Sequence, residues 1–444
     1  MTNHLSRRRF LQRSGITALS VGFLGKIFPA PAIFPAPAMA QQRNPNEKLN
    51  LALIGIANRG GAQVDEAARE NVVALCDVDD NYLGKVGERF PNAARFNDFR
   101  EMYDKLDGKL DAVLVSTTDH IHALASVWGM KKGLHCYCEK PLAHTVHEVR
   151  VMTDLAREKK LFTQMGTQIH AEDNYRRVVE LIQAGAIGPI DEVHTWCGSK
   201  WGNQIWPTEF PEVPQNLHWD LWLGPVPPRP YHPTYFSGNW RSYWAFGNGS
   251  LGDMACHHMD LPYWALDLKY PTAVEATSPF PVHPECASID LTVKYEFPAR
   301  AGKPAVRLTW YDGDARPALL KEKGFPEWGA GNLFVGKEGM LLADYGRHIL
   351  YPEEKFADYK RPAESIPNSI GHHVEWFQAI KTGQGPTTCD FSYSGPLAEA
   401  VLLGAVSYRL GQKLEWDAQK LKATNCPEAD KLLKKEYPDN WKLV

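Results

Sequence analysis

A chain of 444 residues with a hydrophobic fraction of 44% is too long for one ordinary core and apolar enough to be globular throughout, so two domains are expected. No apolar run after residue 40 is long enough to cross a bilayer, which excludes a membrane span from the mature form. The formal charge of −3 becomes more negative once a basic leader is removed, and such a surface has no electrostatic footprint for nucleic acid.

That leader comes first in the chain. Ser6-Arg7-Arg8-Arg9-Phe10-Leu11 is a twin-arginine pattern; a weakly apolar stretch follows, and Ala38-Met39-Ala40 is a small-residue cleavage site. Residues 1–40 therefore read as an export address, and the expected location is periplasmic or otherwise outside the cytoplasm by the twin-arginine route. An oxidising destination permits disulfides, yet the eight cysteines are scattered through a large chain that needs no staples, so mostly free, buried thiols are expected. Cys136 and Cys138 share a strand face but lack the second pair of a structural zinc site.

From residue 48 the pattern is an apolar run ending in glycines, a helical stretch at 62–70, and a second strand ending in Asp77. The turn Gly55-x-Ala57-x-x-Gly60, with Asn58 and Arg59 inside it, carries an alanine in the middle of the usual glycine fingerprint. Asp77 stands about 20 residues on, where a carboxylate accepts hydrogen bonds from the adenosine ribose and repels a 2'-phosphate, which favours NAD over NADP. Arg59 can reach a phosphate or start the helix in solvent. Further strands at 93–96, 110–116, 134–138 and 161–165 alternate with helices, including one at 119–132, and complete a parallel sheet of the Rossmann kind over residues 41–165. At the end of one of these strands, Glu139-Lys140-Pro141 delivers a lysine to a cleft edge; taken alone it could equally be a surface lysine.

Residues 166–444 are expected to form a second α/β domain with a large, open, mainly antiparallel sheet. Seven of the 14 tryptophans and a run of prolines fall within 196–244, where ring faces can stack on sugar C–H surfaces or bury as core, and some of each is expected. Asp253 and His257 are four apart, so a helix places them on one face; the bland alternative is an aspartate cap and a packed histidine. Strands at 288–297, 306–311, 333–335 and 340–343 and helices at 372–381 and 395–409 complete the domain. The adjacent pairs His257-His258 and His372-His373 could approach a metal if their helices met, but no metal ligand set is assigned.

Lys140 in Glu139-Lys140-Pro141, the glycine turn with Asp77, and Asp253-x-x-x-His257-x-x-Asp260 together resemble the Gfo/Idh/MocA oxidoreductases, the glucose-fructose oxidoreductase and inositol dehydrogenase family. The resemblance implies a Rossmann domain followed by an open-sheet domain, with Lys140, Asp253 and His257 around the nicotinamide and a sugar. His257 is then the natural base, Lys140 can donate to the developing alkoxide or relay the proton, and Asp253 would orient and charge-stabilise one of them. It further implies cofactor contacts from Gly55, Ala57, Asn58, Arg59, Gly60, Asp77, Thr117, His122, Glu139 and Lys140, and substrate contacts from Trp240, Arg241, His258 and His232. Two departures stand out: Ala57 replaces a glycine, and Thr118 stands where the family commonly has proline. The expected partner is a sugar or glycoside, and the expected assembly a homodimer or homotetramer through the sheet's exposed face. Three readings follow: an NAD-dependent oxidoreductase with tightly bound, self-recycled cofactor; a redox-neutral NAD-dependent glycosidase or lyase; and a non-catalytic NAD-binding sensor.

Overall fold

The computed structural model describes residues 47–203, 207–236, 238–300 and 302–443, so the 1–40 leader lies outside the described residues. Leu51, Ala52, Leu53 and Ile54 are all buried, as the middle strand of a sheet covered on both faces requires. This strand, β1 (Asn50–Ile54), lies between β2 (Asn71–Cys76) and β4 (Ala112–Val115). With β3 (Ala94–Phe96), β5 (His135–Cys138) and β6 (Thr163–Met165) it forms a six-stranded parallel sheet in the order β3-β2-β1-β4-β5-β6. The strand order reverses between β1 and β4, and that switch point opens a crevice at the carboxyl ends of the strands.

Local chemistry starts the helices on this sheet. Asp79 accepts from the Asn81 amide and Asp98 from the Arg100 amide, each capping a first turn. Thr145 and Glu148 form a reciprocal capping box that launches Val146–Lys159 shortly after Glu139-Lys140-Pro141. The first helix runs Arg59–Ala67, three residues ahead of the expected 62–70. The reason lies in the glycines. A Cβ at Gly60 would stand 2.2 Å from the Gly55 carbonyl, so Gly60 serves close packing inside the first helical turn and does not mark its outer boundary.

The second sheet has nine strands: β7 (Ile190–Cys197), β8 (Ala273–Thr277), β9 (Thr292–Phe297), β10 (Val306–Asp312), β11 (Ala330–Gly336), β12 (Met340–Ala343), β13 (His348–Tyr351), β14 (Leu414–Asp417) and β15 (Lys422–Ala423). Their order is β13-β12-β11-β7-β10-β9-β8-β14-β15. Every pairing is antiparallel except β7 with β10, which makes the sheet mixed while leaving it mainly antiparallel, as expected. β9 begins at Thr292, later than the expected 288, because Asp290 takes a φ of 56° that no strand accommodates. The long Phe391–Leu410 helix starts four residues early because the Asp390 carboxylate accepts the Ser392 and Tyr393 amides.

Burial along β9 alternates, with Val293, Tyr295 and Phe297 inside and Lys294 and Glu296 exposed; Arg307 of β10 is exposed beside them. In these strands the open face is therefore polar. The second half of the chain also returns to the first sheet. Trp376 and Phe377, on the helix His372–Thr382, pack with Leu49, Leu51, Leu53 and Tyr137.

Candidate active site

The crevice at the switch point is a cavity of about 650 Å³ lined on one side by Gly55, Ala57, Asn58, Arg59, Asp77 and Thr117. Gly55 has a φ of 77°, and a Cβ there would lie 2.6 Å from the Ser116 carbonyl oxygen, so only glycine lets these two strand ends approach. Ala57, which stands in the middle of the turn, also lines the cavity. The Asp77 carboxylate accepts the Ile56 amide at 2.9 Å and the Asp79 amide at 3.0 Å, and burial outweighs these bonds to push its pKa up to about 6. A crevice of this shape, with a glycine turn at a helix start and a carboxylate at the end of β2, fits a dinucleotide with its ribose at Asp77.

The opposite wall comes from the second half of the chain. Leu221, Trp222, Phe236, Trp240 and Arg241 line it, and Trp441 reaches in from the carboxyl terminus. The segment carrying Asn216 and His218 is tied to the end of β2: the Asp80 amide donates to Asn216 O, the His218 amide donates to Val78 O, and Asn216 Nδ2 donates to Asp79, each at 2.9 Å.

Lys140, at the end of β5, points its Nζ at the helix Gly249–His258, donating to Asp253 Oδ1 at 2.5 Å and to the Asp253 carbonyl at 2.6 Å. Arg241 Nε donates to the same Oδ1 at 2.8 Å, and Trp201 Nε1 donates to Oδ2 at 2.8 Å. Burial would raise the Asp253 pKa, but the charges of Lys140 and Arg241 overcome it and hold the carboxyl well below the usual carboxylate range. His257 lies one turn on. Burial and then the Lys140 charge push its pKa well below that of a free histidine, so it is neutral, and its Nδ1 has no hydrogen-bond partner. Tyr175 holds the His257 carbonyl at 3.3 Å. The lysine, the aspartate and the histidine named from sequence are thus brought to one place, a lysine pinned on a carboxylate beside a neutral imidazole, and Arg241, bonded to the same carboxylate, lines the crevice.

Several other named residues sit elsewhere. Glu139 is buried beneath the turn, accepting Arg59 Nε at 3.1 Å, Gln168 Nε2 at 2.8 Å and Gln63, so it braces the site and does not line the crevice. His122 is buried with its Nε2 on the Thr117 carbonyl at 3.0 Å, and Gly60 serves packing. His232 accepts the Thr234 amide and packs on Tyr235, away from the crevice lining. His258 faces a different cavity, because one residue along a helix turns a side chain by about 100°. The two histidine pairs do not combine: His372 is held by Gln164 and Met165, and His373 stacks on Tyr137. Among the described residues the group with metal-ligand spacing is His170, Asp260 and Cys389, where His170 Nδ1 already lies 2.9 Å from both Asp260 oxygens and Tyr393 donates to Oδ1.

Two residues at the centre escape sequence reasoning. Trp201 belongs to the tryptophan-rich segment but to no motif, and Asp119 follows Thr118, whose departure from proline was its only signal. Burial raises the Asp119 pKa to about 7 against the pull of Arg241 and Lys140. Of the tryptophans, Trp196 is fully buried, Trp219 stacks on Trp222 at 4.7 Å, and Trp222 and Trp240 line the crevice. All eight cysteines are free and buried.

Two sequence models of one oxidoreductase family match the chain: its NAD-binding Rossmann fold (GFO_IDH_MocA) over residues 49–167, and its C-terminal alpha/beta domain (GFO_IDH_MocA_C2) over 175–301, together more than half of the chain. A glycosyl hydrolase family 109 protein of Shewanella pealeana is 27% identical over 208 residues, covering 42% of this chain and 44% of that protein. A levoglucosan dehydrogenase of Pseudarthrobacter phenanthrenivorans is 26% identical over 116 residues, 26% of this chain and 29% of that one. The chain thus spans less than half the length of these curated relatives. Among solved structures, the WlbA dehydrogenase of Bordetella pertussis, in complex with NADH and UDP-GlcNAcA, superimposes with a TM-score of 0.59 at 17% identity, covering 84% of this chain and 99% of that one. That likeness is one of fold.

Proposed function

We propose, from the premise that the chain belongs to the Gfo/Idh/MocA oxidoreductase family and carries its NAD-binding Rossmann fold, that it oxidises a secondary hydroxyl of a sugar or sugar derivative. The observation that carries this reading is the Lys140–Asp253 pair at 2.5 Å beside the neutral His257. NAD, when bound, supplies the acceptor for the hydride that leaves the carbinol carbon. His257 takes the hydroxyl proton, a step that typically gains about 10²- to 10⁴-fold. Lys140 donates to the oxygen as it gathers charge, and Asp253 keeps the lysine aimed, its own oxygens fixed by Arg241 and Trp201. A pure nucleotide sensor would have no use for a lysine held in this way.

On the reading of residues 1–40 as a twin-arginine address, the mature protein meets no exchangeable pool of NAD. A cofactor would then have to be loaded before export and stay bound, and the chemistry at Lys140 and His257 would have to regenerate its oxidised form within each cycle, by reducing a second sugar or the same substrate. A second reading, a redox-neutral glycosidase or lyase, is favoured by the family 109 glycosyl hydrolase among the relatives. In it, transient oxidation of a ring hydroxyl would acidify the neighbouring C–H, whose proton is removed as the leaving group departs; return of the hydride to the carbonyl carbon restores the hydroxyl and, in a glycosidase, water adds at the carbon the leaving group vacated. The test is exhaustive dialysis followed by assay on glycosides without added NAD. Turnover with released sugar and no net NADH supports the closed cycle; loss of nucleotide, with stoichiometric NADH only when NAD is supplied, leaves a conventional dehydrogenase. Asp77 supports a preference for NAD, and Asp77→Ser is expected to narrow the ratio of NAD to NADP affinity measured by titration.

A further inference from the structure

A second cavity, of about 610 Å³, lies against the helix Gly249–His258, within the size range of roughly 300–1,000 Å³ that takes small organic ligands. Met254 and His258 line it, each one residue beyond Asp253 and His257 on the same helix, so the cavity lies beside the turn that carries the aspartate and the histidine. The remaining wall is built from the turn between β12 and β13, with Asp344, Tyr345 and Arg347, and from Trp328. After burial, the Asp253 charge is among the causes that raise the Cys197 thiol and the Tyr345 phenol, both in this wall.

The lining specifies a chemistry. His258 is neutral, its pKa lowered by burial to about 3; its ring stacks on Tyr345 at 4.7 Å and shares a hydrogen bond with the tyrosine hydroxyl at 2.9 Å. Its Nδ1 is buried without a partner. Arg347 lies over the Trp328 ring at 4.0 Å and pairs with Asp344 at 2.7 Å, so the cationic and anionic groups offset each other and no net charge is offered to a phosphate or a carboxylate. What remains is a set of donors and acceptors interleaved with the apolar surfaces of Met254 and Trp328. That is the complement of a neutral polyhydroxylated ring, whose hydroxyls both donate and accept while its C–H faces are apolar.

We infer that this cavity is a subsite for a second sugar ring, so that the substrate is a neutral glycoside whose reacting ring sits at Lys140 and His257 while the ring joined to it lies against Tyr345, Trp328 and Arg347. The inference rests on the reading of the first site as the place where a sugar hydroxyl reacts. It also bears on which reaction runs there, since the ring held in the second cavity is the natural leaving group of an elimination.

The test is calorimetric binding to the nucleotide-loaded protein, using methyl glycosides of glucose, galactose and N-acetylglucosamine and the disaccharides that extend each of them, with turnover followed in parallel. At least one disaccharide is expected to bind about ten-fold or more tightly than its methyl glycoside, the return on one or two additional polar contacts. Arg347→Ala, at an exposed position, and Tyr345→Phe are each expected to shrink that ratio towards one. A wild-type ratio near one for every pair, or a ratio that both variants leave intact, overturns the inference. Binding with the expected ratio but no oxidation of any sugar keeps the subsite and refutes the oxidoreductase reading. Oxidation of methyl glycosides and disaccharides alike, with equal affinities, does the reverse.

Discussion

Asp253 is the residue through which the site is wired, its carboxylate taking hydrogen bonds from Lys140, Arg241 and Trp201. With both oxygens engaged and its pKa held low, it orients the lysine and does not exchange protons. Lys140→Met and His257→Ala are therefore expected to cut turnover by about 10²-fold or more while bound nucleotide, read from the absorbance of the purified protein, stays at the wild-type level, because the glycine turn and Asp77 lie outside the change. Retained activity in either variant would return that residue to a packing role. The depressed pKa of His257 keeps the imidazole unprotonated below the ordinary histidine range, so the acid limb of kcat/KM should fall below about pH 6.5. Asp119 works in the opposite direction. Its pKa is raised in the fold from 3.8 to about 7, so it holds a proton that the unfolded chain has lost, and stability falls as pH rises through that window. Asp119→Asn should flatten the decline of Tm between about pH 4 and 7; an unchanged Tm profile would remove Asp119 from the titration.

At the scale of elements, the cofactor crevice is shaped as much by segments from far along the chain as by the Rossmann strands. The stretch around Leu217 bridges to Asp79 at the end of β2, and the carboxyl-terminal segment crosses to the helix Phe99–Lys105. There Arg100 lies 3.8 Å over the Trp441 ring and Arg100 Nη1 donates to Asn440 O at 2.8 Å, while Trp128 Nε1 donates to Lys442 O at 3.1 Å. Trp441 also lines the crevice, so it both anchors the tail and closes one end of the cavity. Trp441→Ala is expected to speed nucleotide release by about ten-fold, the rate equivalent of the roughly 1 kcal/mol and more that a buried aromatic contact contributes. Nucleotide remaining after timed gel filtration measures it, and release at the wild-type rate would show that the tail is only an anchor.

At the scale of the whole molecule, the two sheets share cores. Trp376 and Phe377 cover the first sheet from the second half of the chain, Arg150 on the Val146–Lys159 helix is paired with Glu399 on the Phe391–Leu410 helix at 2.7 Å, and Lys381 reaches Glu70 at 2.6 Å. Unfolding one sheet therefore strips packing from the other. A single cooperative thermal transition is expected for the described part of the chain, shifting to lower temperature when nucleotide is removed, since a ligand at 100 times its Kd stabilises by about 2.7 kcal/mol. Two resolved transitions by calorimetry, only one of them moved by nucleotide, would mean that the halves are energetically separate.

The sequence by itself determined the features that are local. Apolar runs gave the parallel strands, the glycine turn and Asp77 announced the crevice, and four-residue spacing put Asp253 and His257 on one helical face, because periodicity and backbone sterics act over a few residues. Only the tertiary structure decided which side chains meet. Arg241 and Trp201 close on Asp253 from outside its helix, Trp441 lines a crevice whose glycine turn lies more than 300 residues earlier, and Glu139, adjacent to the key lysine, turns away to brace Arg59. His258 shows the division within one residue: its helix was legible, but the cavity it faces was made by the β12–β13 turn almost ninety residues later. Such pairings are selected by burial and close packing across the finished fold, and no spacing along a single chain encodes them.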